Sequence, residues 1–139
     1  MIVLDTNVIS ELFKPTPDSG VVDWLAKQPP ASLFTTTITR GELFYGAQRM
    51  PEGKRKDILL RGLTKLFDLQ LSGRVLDYDS DAADAYAQIA AARRAQGKVG
   101  SPFDTMIAGT ARSRGADLAT RNVKDFADCG IVVIDPWQT

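Results

Sequence analysis

The sequence predicts an α/β protein, a mainly parallel sheet covered by helices on both faces. Short apolar and β-branched runs alternate with helix-length segments along all 139 residues, and that alternation builds parallel sheets. Proline and glycine fall at the joins between segments, where helices stop. Carboxylates also recur where strands give way to helices, at Asp5 and around Glu42 and Asp104. In an open α/β sheet, ligands bind beyond the carboxyl ends of the strands.

Each element follows from local chemistry. Residues 2–4 (Ile-Val-Leu) read as the first strand, and 8–13 as a short helix stopped by Pro15 and Pro17. Asp18 or Ser19 caps a helix over 21–27 that ends before Pro29-Pro30. Residues 33–36 carry the β-favouring Phe34 and threonines of a second strand. A helix over 39–49 follows, then a longer one from Pro51 to about residue 71, closed by Gly73. Residues 75–78 form the third strand, and an Ala-rich helix spans 81–96 before Gly97. The next helix spans 101–114 and stops at Gly115. Residues 118–120 are a strand, 123–126 one helical turn and 131–134 the last strand. No repeat or linker interrupts this pattern, so residues 1–139 read as one domain.

Composition excludes several chemistries. The chain has no histidine and one cysteine, Cys129. A Ser-His-Asp triad, a Cys-His pair and a His- or Cys-based zinc site are therefore ruled out, as is an internal disulfide. Hydrolysis would rest on carboxylates, hydroxyls, Lys, Arg and an oxygen-bound metal. No apolar run reaches the length of a membrane span, and no basic leader with an apolar core opens the chain, so a cytoplasmic protein without membrane contact is expected. Formal net charge is zero, so nucleic acid would have to meet local basic patches beside an acidic site.

The carboxylates admit two explanations. Thr39-Arg40-Gly41-Glu42 has the form of a capping box, with Glu42 reaching back to the Thr39 amide. Ser101-Pro102-Phe103-Asp104 and Asn122-Val123-Lys124-Asp125 repeat that form, and Asp5 could cap the helix after it. Taken together, however, these acids would stand close to one another at one sheet edge. Their repulsion would destabilise the protein unless a cation lay between them. An oxygen-only ligand set without His or Cys favours Mg²⁺ or Mn²⁺, and such an ion activates water toward phosphodiesters.

Several motifs then point to a family. Asp5-Thr6-Asn7-Val8-Ile9-Ser10, the 39–42 helix start, Phe103-Asp104-Thr105-Met106-Ile107-Ala108 and Thr120-Arg121-Asn122-Val123-Lys124-Asp125-Phe126 resemble the PIN-domain ribonucleases. The likeness is nearest to the VapC/FitB-type toxins of bacterial toxin–antitoxin pairs, and it extends to Asp135-Pro136-Trp137. It implies an α/β/α sandwich and a Mg²⁺- or Mn²⁺-dependent endoribonuclease that leaves a 5′-phosphate and a 3′-hydroxyl. Asp5, Glu42 and Asp104 take three of the family's acidic positions and hold the metal. At the fourth, where some members have Asp, this chain has Asn122, with Asp125 one turn later. Thr6 and Thr120 are expected to support the site with their hydroxyls. The resemblance also implies a homodimer, an antitoxin lying in an apolar groove and contact with operator DNA through that antitoxin alone.

Among the basic residues, Arg121 and Lys124 share a loop with Asn122 and are the first candidates for RNA phosphate contact, with Arg40 next. Leu12, Phe13 and the two tryptophans could line the antitoxin groove or fill the core. Two other functions compete. A phosphoacceptor or phosphatase using Asp5 as nucleophile wants a second acid two residues on, where the chain has Asn7. A catalytically silent binding module on the same fold would not need the Asp5/Glu42/Asp104 set.

Overall fold

A computed structural model describes residues 1–139 as five parallel strands between layers of helix. The elements run β1 (Ile2–Leu4), α1 (Thr6–Leu12), α2 (Ser19–Lys27), β2 (Leu33–Thr36), α3 (Thr37–Gln48), α4 (Lys54–Lys65), β3 (Val75–Leu76), α5 (Ser80–Ala95), α6 (Pro102–Ser113), β4 (Asp117–Ala119) and β5 (Val133–Ile134). Strand order is β3-β2-β1-β4-β5, and every pairing is parallel. The chain builds outward from β1 to one edge and then returns to build outward on the other side. The β1/β4 junction is therefore the switch point, where the carboxyl ends of strands open a crevice.

Strand alternation distributes the core. Val3 and Leu118 face one layer with Ile89, Ile107, Ala108, Ala111 and Phe126 from the α5/α6 side. Their neighbours Leu4 and Ala119 face the other layer with Val8, Ile9, Val21, Trp24, Leu63 and Phe67. Each strand thus feeds both layers, as a period of two residues requires. Helices α5 and α6 pack backbone to backbone at Gly109, where a Cβ would lie 2.8 Å from the Ala82 carbonyl oxygen and the Tyr86 nitrogen. No helix is long and apolar enough to cross a membrane.

The first two strands and the single turn over Val123–Phe126 fall where the sequence places them. Other bounds move for local reasons. Helix α3 starts at Thr37 because Thr36, not Thr39, is its cap: the Thr36 hydroxyl accepts the Thr39 N–H at 3.1 Å. The expected capping box therefore does not form, and Glu42 is free of the helix start. Asn122 caps nothing with its side chain, while Ser101 accepts the Asp104 N–H only at 3.5 Å. The helix expected to reach residue 71 instead ends as α4 at Lys65 and widens into a π turn over Leu66–Gln70. Helix α1 begins at Thr6, directly after Asp5, which caps it through its own carboxylate. Cys129 is fully buried against the α5/α6 layer as a small apolar side chain.

Candidate active site

Asp5 stands at the end of β1, Glu42 in the second turn of α3 and Asp104 in the first turn of α6. Asp5 and Glu42 follow the ends of β1 and β2, whereas Asp104, expected after a strand, instead follows the loop between α5 and α6 and enters the crevice from the start of that helix. Asp5 is 2% exposed, and it accepts the Thr6 N–H at 2.8 Å on one oxygen and the Thr120 hydroxyl at 2.7 Å on the other. Thr120 is fully engaged. Its oxygen also accepts the Asn7 side-chain amide at 3.3 Å and the Asn122 N–H at 3.1 Å. Asn7 closes the ring by accepting the Arg121 N–H at 3.3 Å. The ends of β1 and β4 are thereby tied through Asp5, Thr120 and Asn7.

A second chain of hydroxyls orients Glu42. The Thr6 hydroxyl donates to Glu42 Oε1 at 2.7 Å, so its own oxygen is left to accept. Thr39 supplies that proton at 3.1 Å, and Thr36 in turn donates to Thr39 at 3.3 Å. The order Thr36, Thr39, Thr6, Glu42 runs from the end of β2 to the carboxylate. Thr36 and Thr39 were not singled out as site residues by the sequence, although the run Thr35-Thr36-Thr37 with Thr39 at a strand end is the signal that could have exposed them. Thr6 and Thr120, the hydroxyls named from the sequence, donate to Glu42 and to Asp5.

Electrostatics show that these acids share a neighbourhood. Burial pushes the Asp5 carboxyl up to about 6, against the hydrogen bonds from Thr120 and Thr6, with further upward pressure from the charges of Asp104 and Glu42. Asp104, half-buried, is also raised, first by desolvation and then by Glu42 and Asp125, while Arg93 opposes the rise. Asp125 therefore lies within electrostatic reach of Asp104 as the fourth acid, and Asn122 joins the network through its backbone N–H. None of the five ion pairs in the molecule involves Asp5, Glu42 or Asp104.

A hard divalent cation fits this donor set. The donors are all oxygens, they repel one another and no lysine or arginine is bonded to them. No three of them are gathered tightly enough in this arrangement to form a finished cage. Asp5, Glu42 and Asp104 are the residues that would hold the ion.

The surroundings differ by side. A cleft of about 630 Å³ lined by Ile38, Glu42, Tyr45 and Phe103 opens on one flank. A groove of about 510 Å³ runs between α1, α3 and α4 past Phe13, Leu43, Leu59 and Leu63, again reaching Glu42. Phe13 contributes to that groove, whereas Trp24 is buried in the core and Trp137 packs against it. Arg121 and Lys124 line a shallow pocket with Asn122 and Asp125. Arg40 pairs with Asp68 at 2.8 Å and lies over the Phe44 and Phe67 rings.

Comparison with known proteins agrees with this geometry. The PIN domain model matches residues 2–131. A VapC ribonuclease of Sinorhizobium fredii is 43% identical over 138 residues, covering 99% of each chain. The crystal structure of FitAcB from Neisseria gonorrhoeae contains a chain 35% identical that superposes with a TM-score of 0.90 over the full length of both. DNA-bound VapBC from Salmonella typhimurium contains one 32% identical, with a TM-score of 0.78 over 97% of each. With its parallel sheet, its acids at the switch point and a family match along nearly its whole length, this chain belongs to the PIN-domain family.

Proposed function

We propose that this protein is the toxin of a toxin–antitoxin pair, an endoribonuclease that uses Mg²⁺ or Mn²⁺ to hydrolyse RNA phosphodiesters. The observation that carries the reading is the set of unpaired, mutually repelling carboxylates Asp5, Glu42 and Asp104, in a chain 43% identical to a VapC ribonuclease over its length. Asp5, Asp104 and Glu42 hold the ion. When bound, that ion supplies positive charge that activates water and stabilises the phosphoryl oxygens. Glu42, fixed at Oε1 by Thr6, keeps its other oxygen to orient the attacking water and take its proton. Asp125 and Asn122 complete the far side of the site, and Arg121 and Lys124 contact the RNA backbone.

A cognate antitoxin is the partner, as the complexes FitAcB and DNA-bound VapBC suggest for their relatives. The α1/α3/α4 groove, where Phe13, Leu43, Leu59 and Leu63 stand beside the polar Ser10 and Lys14 and which reaches Glu42, suits a segment that covers the site. Operator DNA is then met through the antitoxin. A homodimer in the cytoplasm completes the proposal, and the exposed Tyr45 and Phe103 give it an apolar face. The reading against a phosphatase or a silent module rests on one test. Purified protein should cleave RNA with Mg²⁺ or Mn²⁺ and stop in EDTA, and Asp5→Asn should be inert under every condition. Cleavage that persists in EDTA or in Asp5→Asn overturns it.

A further inference from the structure

Arg93 is an arginine in an unexpected place. It lies near the end of α5, 8% exposed, on the face that Ala82, Ala85 and Ile89 bury. Its Nη2 donates to the backbone carbonyl of Asp125. Its Nη1 lies against Gly100, where a Cβ would come within 3.1 Å. Its Nε is the one buried side-chain polar atom without a partner. Burying a guanidinium with a donor left over is unfavourable, and a methionine of similar reach would fill the same space more cheaply. The charge is therefore kept for what surrounds it. Around it stand Asp104, Asp125 and Asp128.

We propose that Arg93 is a positioning residue for the cation site: its guanidinium fixes the Asn122–Asp125 turn against the start of α6 and so sets the spacing between Asp104 and Asp125. The proposal rests on the nuclease reading above and extends it to a residue that never touches RNA or metal. One arm of the guanidinium holds the turn and another fills the notch left by Gly100, in the loop that leads into Ser101 and α6. The exposed pair Lys98–Asp128 at 2.6 Å joins the same two loops, but a solvated ion pair contributes little and serves as the control.

The test uses Arg93→Met, Arg93→Lys, Gly100→Ala and Lys98→Met, each in the full chain, with Mn²⁺ as the probe. Two quantities are read: the Mn²⁺ concentration that gives half-maximal stabilisation in thermal melts, and kcat and KM on a short RNA. In Arg93→Met the half-saturating Mn²⁺ should rise about tenfold or more, the range seen when groups behind metal ligands are removed. Its kcat should fall while KM holds. Arg93→Lys should recover part of the loss, and Gly100→Ala, which crowds Nη1, should shift in the same direction by less. Lys98→Met should match wild type. A folded Arg93→Met with wild-type half-saturation overturns the proposal. If Arg93→Met fails to fold, unchanged half-saturation in both Gly100→Ala and Arg93→Lys overturns it instead. A wild-type protein whose melting ignores Mn²⁺ sinks the metal-dependent reading itself, and that result is distinct from an effect confined to the variants.

Discussion

Asp5 carries a charge that the fold opposes until something positive meets it. Its carboxyl is raised from 3.8 to about 6, chiefly by burial. A raised acid favours the folded state while it is protonated, so the metal-free protein has its full share of this stability below pH 4. That share is lost as pH climbs through 6. The loss amounts to about 3 kcal/mol at 1.36 kcal/mol per pKa unit. Urea titrations between pH 4 and 7 without metal should show this decline, and Asp5→Asn should flatten it. Mn²⁺ at neutral pH should restore the difference in the wild type and leave Asp5→Asn unmoved. Thr120 offers a second test at this scale. Its hydroxyl serves Asp5, Asn7 and the Asn122 N–H together. Thr120→Val keeps the shape but strands buried partners, and should destabilise by about 1–3 kcal/mol. A Thr120→Val protein as stable as wild type would show that the hydroxyl ring does not hold the site.

At the scale of elements, the start of α3 separates a capping role from a site role. Thr36 is the cap and Glu42 is not part of it. Thr36→Ala should therefore destabilise by about 1 kcal/mol in urea melts, and Glu42→Gln should leave metal-free stability unreduced while abolishing the stabilisation by Mn²⁺. A Glu42→Gln protein that still responds to Mn²⁺ would return Glu42 to a purely local role. The sequence made β1, β2 and the acids after them legible because hydrophobic runs and carboxylates are local signals. It misplaced the α3 cap because Thr36, Thr37 and Thr39 are all competent caps, and only packing chooses among them. Arg93 stayed hidden beside Arg94 for a related reason. The helical spacing Ala82, Ala85, Ile89, Arg93 marks an inward face, but an arginine there reads as a solvated charge until Asp104 and Asp125 are known to lie beneath it. The Arg40–Asp68 pair was not legible because its partner is distant in sequence.

Across the whole molecule, charge sets how RNA is met. Formal net charge is zero, and the crevice itself is acidic, so the protein as a whole offers a polyanion no general attraction. Productive contact falls to the few cations at the rim, Arg121 and Lys124, both exposed beside Asn122. Arg121 is already oriented, with its guanidinium carbon 5.1 Å from the Trp137 ring centre. Each phosphate neutralised on a single strand contributes about −0.7 to the slope of log affinity against log salt. Two such contacts predict a shallow slope of about −1.4 for 1/KM, with kcat nearly independent of salt because salt competes with the rim contacts and not with the reacting groups. Arg121→Gln should weaken RNA binding uniformly across sequences and flatten the slope by about 0.7, and Lys124→Gln should do the same. Kinetics on one short RNA over a range of KCl concentrations at fixed Mn²⁺ measure both. A steep slope that survives loss of both residues would place the RNA on another face, among Arg49 at the end of α3 and Lys54 and Arg55 at the start of α4.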